Sequence, residues 1–311
     1  MPHPRVTCII LNHARQADTI ELLQSLEKSD YPSLDVLVMD SGGESGAAET
    51  IRRRFPRAGV VRLANNGGYA GNNNVGIELA LKRGADWVVL MNDDTIAAPD
   101  CISQLMAAAV RDDSIGMAGP TVYHYDEADV IQSAGGVLGP GWSSEHRYSN
   151  QKAVEPLPSV YEAEWVTGCA IAVRGEVVKD VGLLDARFFS YWEEVDWCRR
   201  AARAGWKVMI VPQARVWHKG VSRDYRPAAI VAYYATRNRL LFFQKHRAPV
   251  GVWCRAAMQI ARTLVSMSVR PCWRGSRAHR DAIWFGVCDY FDQRWGQAPD
   301  RAALRTGTGT V

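Results

Sequence analysis

The strongest constraint on the fold is a repeated alternation along the chain. Short apolar runs, "VTCIIL" from Val6, "LDVLVM" from Leu34, "VVRL" from Val60 and "DWVVLM" from Asp86, are separated by segments with apolar residues at helical spacing. Ile20, Leu23 and Leu26 form one such set, and Val75, Leu79 and Leu81, ahead of Gly84, form another. Strands that alternate with helices predict an α/β fold whose mostly parallel sheet is covered on both faces. Open sheets of this kind bind ligands beyond the carboxyl ends of their strands. Polar residues collect at those ends: Asn12 and His13, Asp40 and Ser41, Asn65 and Asn66, then Asn92 to Asp94. Further strands are predicted in "IGMAGPTVY", "CAIAVRG", "WKVMIVP" and "RVWHKG". A Gly/Ser/Pro-rich stretch from Gly135 to Pro158 reads as a long mobile lid.

A length of 311 residues, 47% of them hydrophobic, suffices for one large α/β domain with an appendage. The apolar runs are strand-sized and interrupted by charge, and the N-terminal run turns polar quickly. These features predict neither a signal peptide nor a membrane span, and hence a cytoplasmic protein. Seven cysteines are scattered without a CxxC pair, which fits reduced thiols packed as small hydrophobes. The charge is split: residues 1–218 hold 21 Lys and Arg against 28 Asp and Glu, and residues 219–311 hold 16 against 5. The expected organisation is therefore a catalytic and ligand-binding domain over 1–218 and a basic, mainly helical region over 219–311. Such a basic region suits an anionic membrane surface, nucleic acid or a phosphorylated ligand.

The strand end "LMNDDT" carries the clearest chemistry. Carboxylates at a strand tip suit a hard cation, Mg²⁺ or Mn²⁺, which shares its oxygen ligands with substrate phosphates. Asp93 and Asp94 are alternatively caps for the following helix, although Asp100 is better placed for that. The upstream loop "NNGGYAGNNN" offers close backbone approach at Gly67, Gly68 and Gly71 and amide groups to a polar ligand, or is simply a turn into a helix. Farther on, Glu193, Glu194 and Asp196 crowd the start of a helix beside Tyr191, Trp192 and Trp197. They are either partners of the helix dipole or, in an aromatic setting that raises proton affinity, candidates for a general base. His218 alone would read as an ordinary satisfied histidine.

Together these motifs resemble the inverting family 2 glycosyltransferases with the type A nucleotide-sugar fold, especially their bacterial rhamnosyltransferase branch. The resemblance runs from "VTCIILN" through "VLVMDSG", "NNGGYAGNNNVGI", "LMNDDT" and "WVTGCAIAVRGEVVKDVGLLDARFFSYWEEVDWCRRAARAGW" to "VPQARVWHKG" and "YYATRNRLLFFQKH". It implies a nucleotide diphosphate sugar donor, a glycan or lipid-linked acceptor and a divalent cation bridging the donor's diphosphate. By the same resemblance Asn12, Asp40, Asn65, Gly67, Gly68, Asn72, Asn92 and Asp93 line the nucleotide-sugar site. Asn92 and Asp94 hold the outer positions of the metal motif, so Asp94 is the expected main ligand and His218 the second. Trp165, Thr167, Gly168 and Trp192 border the acceptor. Glu194 is the expected base, ahead of Asp196 and Glu193.

Two other readings use the same residues differently. A nucleotidyltransferase would join a sugar phosphate to a nucleoside triphosphate, but "LNHARQADT" lacks the Gly-rich, basic loop that chemistry needs. A nucleic-acid-binding protein would use the basic region with Trp253, Trp273 and Trp284 as stacking residues, but no nucleic-acid module accompanies them, so no nucleic acid is expected. Within that region Trp253, Ala257, Ile260, Leu264 and Met267 form an apolar helical stripe, and Arg255, Arg262, Arg270, Arg274, Arg277 and Arg280 supply charge. The stripe either packs on the catalytic domain or, with the arginines, rests peripherally on the inner membrane face.

Overall fold

The computed structural model describes residues 3–42, 46–154, 158–222 and 224–301, with the side chain of Arg274 outside that description. Its first part alternates as expected: β1 (Val6–Asn12), α1 (Gln16–Leu26), β2 (Leu34–Asp40), α2 (Ala47–Arg54), β3 (Gly59–Arg62), α3 (Gly68–Lys82) and β4 (Trp87–Asn92). β1 pairs in parallel with β2 and β4, and β2 with β3. Successive side chains point to opposite faces, so β1 feeds two cores. Ile9 joins Leu37, Leu90 and the α3 residues Ala70, Ile77 and Ala80. Ile10 joins Val38, Val89 and the α1 residues Leu22, Leu23 and Leu26 on the other side. Each such fully buried aliphatic contributes roughly 1.5–3 kcal/mol relative to exposure. On α3 the buried set is not the expected one: Val75 is exposed, and Ala70, Asn73, Ile77 and Ala80 face the sheet.

The second half is mixed rather than parallel. After β5 (Thr95–Ala97), α4 (Cys101–Ala109), β6 (Ile115–His124), β7 (Ile131–Ser133), β8 (Gly136–Leu138), β9 (Ser144–His146) and β10 (Tyr161–Glu162) comes β11 (Ala170–Arg174). β11 inserts between β4 and β6, antiparallel to both. α5 (Gly175–Val181) and α6 (Glu193–Arg203) lead to β12 (Lys207–His218), giving the order β10-β12-β6-β11-β4-β1-β2-β3. "WKVMIVP" and "RVWHKG" are thus one strand, whose pairing to β6 shifts register between Val211 and Arg215. Beyond that bulge, β12 pairs antiparallel with β5, and His218 lies opposite Thr95.

The expected lid is, in its described part, a folded β8–β9 hairpin that docks through Gly136 on the Trp165 ring; residues 155–157 lie outside the described residues. Asp100 does sit at the start of α4, but its carboxylate accepts from Gln104 at 3.3 Å instead of capping the helix.

The basic region forms α7 (Ala229–Lys245), α8 (Val250–Val269), a 3-10 turn (Pro271–Ser276) and α9 (Arg277–Phe291). α7 is built into the catalytic part. Its Tyr233, Leu241, Phe242 and Phe243 are buried, and Tyr233 donates to the buried Asp289 of α9 at 2.8 Å. On α8 the inward residue is Ala256 rather than Ala257, with Trp253 and Ile260 half-buried beside it. The expected stripe therefore packs against protein: Trp253 meets Phe243 and Tyr290. A chain truncated after residue 218 would expose the apolar surface that α7 covers. We expect it to lose the cooperative urea transition of the full chain, and a sharp transition in the truncated protein would show that α7 is dispensable.

Candidate active site

The carboxyl ends of β1 and β4 and the first turns of α3 and α6 surround a cavity of about 580 Å³. Of the residues singled out from sequence, Gly68, Asn72, Asn92, Asp93, Asp94, Thr167, Gly168, Glu193, Glu194 and His218 line it. The others do not. Asn12 and Asp40 are buried behind the wall, with Asn12 Nδ2 donating to Asp40 Oδ1 at 3.1 Å and Thr19 donating to Asn12 at 3.0 Å. Asn65 points to solvent, and its neighbour Asn66 takes the lining place. Gly67 donates its amide to Asn72 Oδ1 at 2.8 Å, which fixes the loop from behind. Trp165 supports the lining residue His146 edge to face at 4.8 Å, and Trp192 packs on Phe242 at 5.1 Å; both back the cavity rather than face it.

The strand register explains the meeting of Asp94 and His218. Asp94 directly precedes β5, so pairing His218 with Thr95 sets the imidazole beside the carboxylate. His218 Nε2 lies 3.1 Å from Asp94 Oδ1, yet that oxygen is buried without a well-aligned hydrogen-bond partner. The other ring nitrogen, Nδ1, is 3.0 Å from Gln132 Oε1. A proton on Nε2 would face the carboxylate and neutralise it, whereas a proton on Nδ1 alone, donated to Gln132, would turn an Nε2 lone pair toward it and leave room for a cation between the two.

Gly220 completes the cradle, since a Cβ there would collide with Asp94 Oδ2. The Arg15 guanidinium also donates to Oδ2. Burial pushes the Asp94 carboxyl up, but His218 and Arg15 outweigh it and hold the acid below its ordinary range. Among the described residues no group of three or more His, Cys, Asp or Glu side chains gathers as a metal site. A carboxylate and an imidazole on one cavity wall would nevertheless suit a hard cation that takes its remaining oxygens from substrate and water.

Asp93 behaves differently. Burial, reinforced by the charge of Asp94, raises it to about 7, although it accepts the His13 amide at 3.4 Å.

Across the cavity stand the acids of α6. Glu193 is buried, and burial, then the charge of Glu194, pushes its carboxyl well above the ordinary range. Glu194 keeps partial exposure to the cavity; burial raises it to about 6, restrained by the surrounding backbone amides of Glu194, Val195, Trp192 and Gly168. Each has an Oε2 that is buried without a hydrogen-bond partner. Asp196 is excluded from this group. His246 Nε2 lies 2.8 Å from one of its oxygens, and Arg200 and Lys245 each donate to the other at 2.8 Å. Burial opposes its ionisation, but those partners prevail and keep it charged. Asp196 ties α6 to the end of α7 and does not reach the cavity.

The segment leading into these acids is strained. Phe189, Tyr191 and Trp192 have φ of 66°, 70° and 79°, a region that costs bulky side chains roughly 1–3 kcal/mol each. Two fully buried residues of α7 hold it. Asn238 Nδ2 reaches the carbonyls of Phe188, Ser190 and Tyr191 at 2.7–2.8 Å. The Arg237 guanidinium donates to the carbonyls of Arg187 and Phe188 at 3.3 and 3.1 Å, and to Gly296 at 2.8 Å. Gly68, at φ 70°, lets the start of α3 close on Phe189, because a Cβ would strike that ring and carbonyl.

Sequence reasoning missed Arg15, Tyr69, Gln132, Gly220 and the Arg237–Asn238 pair. Arg15 had a signal, as a cation three residues beyond the end of a strand, and Arg237–Asn238 had one as a polar pair inside an apolar helix.

Residues 3–240 match the family described as "Glycosyltransferase like family 2". The chain belongs to this family. It is 29% identical over 282 residues to the N-acetylglucosaminyl-diphospho-decaprenol L-rhamnosyltransferase of Mycobacterium tuberculosis H37Rv, covering 83% of this chain and 91% of that protein. It is 21% identical over 199 residues to the dTDP-rhamnosyl transferase RfbF of Shigella flexneri, covering 61% and 64%. Among solved structures, the mannosyltransferase PcManGT of Pyrobaculum calidifontis, in complex with GDP-Man and Mn²⁺, aligns with a TM-score of 0.59 at 16% identity, over 94% of this chain and 89% of that one. The fold is the type A glycosyltransferase fold, and the chain is a glycosyltransferase rather than a nucleotidyltransferase or a nucleic-acid-binding module.

The cradle on the 188–191 carbonyls generates a test. Asn238→Ala strips the donor shared by three carbonyls, one buried and two part-buried, and should cost on the order of 3 kcal/mol in urea unfolding. Turnover per folded molecule should fall with it, because Glu193 and Glu194 follow the segment; unchanged turnover would limit Asn238 to a purely structural role.

Proposed function

We propose that this glycosyltransferase is metal-dependent and inverting, and moves rhamnose from a nucleotide diphosphate sugar to a hydroxyl of a glycan or lipid-linked acceptor. The observation that carries the reading is the placement of two unlike groups across one cavity: the Asp94–His218 pair, whose carboxylate keeps one buried oxygen without a hydrogen-bond partner, and Glu194 with its proton affinity raised to about 6. The rhamnose choice is supported by the two rhamnosyltransferase relatives, and the lipid-linked acceptor by the name of the first.

An acceptor hydroxyl is a poor nucleophile until a base takes its proton. Glu194 receives that proton as the hydroxyl oxygen attacks the anomeric carbon from the face opposite the nucleotide. The new carbon–oxygen bond forms while the old one breaks, and the bonding pair leaves with the nucleoside diphosphate. One displacement inverts the configuration. Asp94 and His218 would hold Mg²⁺ or Mn²⁺, which supplies electrostatic stabilisation to the departing diphosphate. Arg15, at the same wall, adds a fixed positive charge. Glu193, more deeply buried, holds its own proton and leaves Glu194 as the single acceptor at the cavity surface.

Asp94→Ala should abolish metal-dependent turnover and weaken nucleotide diphosphate binding measured by calorimetry in Mn²⁺. Full activity at saturating metal would remove Asp94 from this role. Glu194→Gln should lower turnover by roughly 10² to 10⁴ while sparing nucleotide binding.

The pH profile gives a separate check on the same residue. A base works unprotonated, so wild-type turnover should rise as pH increases through about 6 and level off above it. That rising limb should vanish in Glu194→Gln. If it persists there and vanishes in Asp196→Asn, the base has been misassigned.

A further inference from the structure

α8 is partnered on one side only. Of its 20 residues Ala256 alone is buried. The face opposite the Trp253–Ile260 contacts carries Met258, Arg262, Val265 and Val269, which recur at steps of four, three and four. The three apolar members are 62%, 61% and 70% exposed. Burying one such side chain is worth roughly 1.5–3 kcal/mol, so leaving a row of them in water calls for a partner. Beside the row, Arg255, Arg262, Arg270, Met258 and Trp273 border a groove of about 610 Å³.

The charge around this face is of one sign. Residues 246–280 contain seven arginines and no aspartate or glutamate. Arg255, Arg262 and Arg270 are all exposed, on or next to α8. No helix among the described residues is long and apolar enough to cross a membrane. An exposed apolar row flanked by cations, on a helix lying along the surface, has instead the chemistry of an interfacial helix. Nucleic acid would use the cations but leave the aliphatic row in water.

We propose that this outer face of α8, with the 3-10 turn that follows it, docks on an anionic lipid bilayer. The docking face is the reverse of the stripe that reads most clearly in the sequence, because that stripe is spent on packing against the protein. The surface is also coupled to the cavity wall. Arg239 donates to Gln259 of α8 at 3.0 Å and to the carbonyl of Gly141 at 2.6 Å. Gly141 lies in the turn of the β8–β9 hairpin, whose His146 lines the cavity. A bilayer under α8 would therefore be joined, through Gln259 and Arg239, to the hairpin that carries one wall of the site. The inference stands on the surface itself and does not require the acceptor to be a lipid.

The test is co-sedimentation of the full chain with vesicles of phosphatidylcholine alone or mixed with phosphatidylglycerol, at low and high salt and without any sugar acceptor. Binding should require phosphatidylglycerol and weaken in salt. In Arg255→Gln/Arg262→Gln/Arg270→Gln the partition coefficient should fall about fivefold per arginine, on the order of a hundredfold in all. Met258→Ser/Val265→Ser should also weaken binding, with an unchanged thermal midpoint showing that the fold is intact. Equal binding to both vesicles, no binding, or wild-type binding by both variants would overturn the proposal. So would concentration-dependent dimers in light scattering that Met258→Ser/Val265→Ser abolishes, or an oligonucleotide that binds more tightly than the anionic vesicles.

Discussion

The cavity depends on a set of hydrogen bonds that never touch it. Asn238 and Arg237, on a helix outside the sheet, satisfy the backbone carbonyls of a segment that would otherwise be unstable in its left-handed conformation. That conformation turns the chain sharply enough for α6 to begin at the cavity wall, with two carboxylates in its first turn. Asp196, one turn further on, fastens the same helix to the far end of α7 through His246 and Lys245. The middle and the C-terminal end of α7 thus set the position of α6, and the sheet supplies the opposite wall.

The two walls handle charge in opposite ways. At the sheet, Asp94 is kept ionised by Arg15 and His218, and one of its oxygens remains available. At α6, burial raises the proton affinity of both carboxyl groups, and the charge of Glu194 adds to it at Glu193. A group held anionic and a group of raised proton affinity thus stand within one cavity. Three acids crowded within four positions thus meet different surroundings: Glu194 and the more deeply buried Glu193 line the cavity, and Asp196 is neutralised by Arg200 and Lys245.

Legibility in the sequence followed physical range. Strand runs and the strand-end polar groups that line the cavity, Asp94 among them, were readable because period and local chemistry carry them. Direction was not: β11 has the same apolar pattern whether it runs with its neighbours or against them. The two runs that merge into β12 looked separate because Pro212 and its followers interrupt the pattern, and the bulge is visible only in the pairing. Asp196 could not be told from a base because His246 and Lys245 lie about fifty residues away. On α8 the stripe was displaced by one position, Ala257 for Ala256, since small residues mark either face equally well.

The bulge in β12 separates two registers within one strand. Before it, the strand is set by β6 alone; after it, by β5 as well, and there His218 is aimed. Side chains alternate faces with a period of two, so parity decides which residue meets Asp94. Losing or gaining a single residue between Val211 and Arg215 leaves a choice between two costs. The strand can keep its pairing to β5 and absorb the change in the bulge, or slide by one and present Trp217 or Lys219 where the imidazole stood. The irregular stretch is therefore a length adjuster between the half-strand set by β6 alone and the half-strand that carries His218 to Asp94.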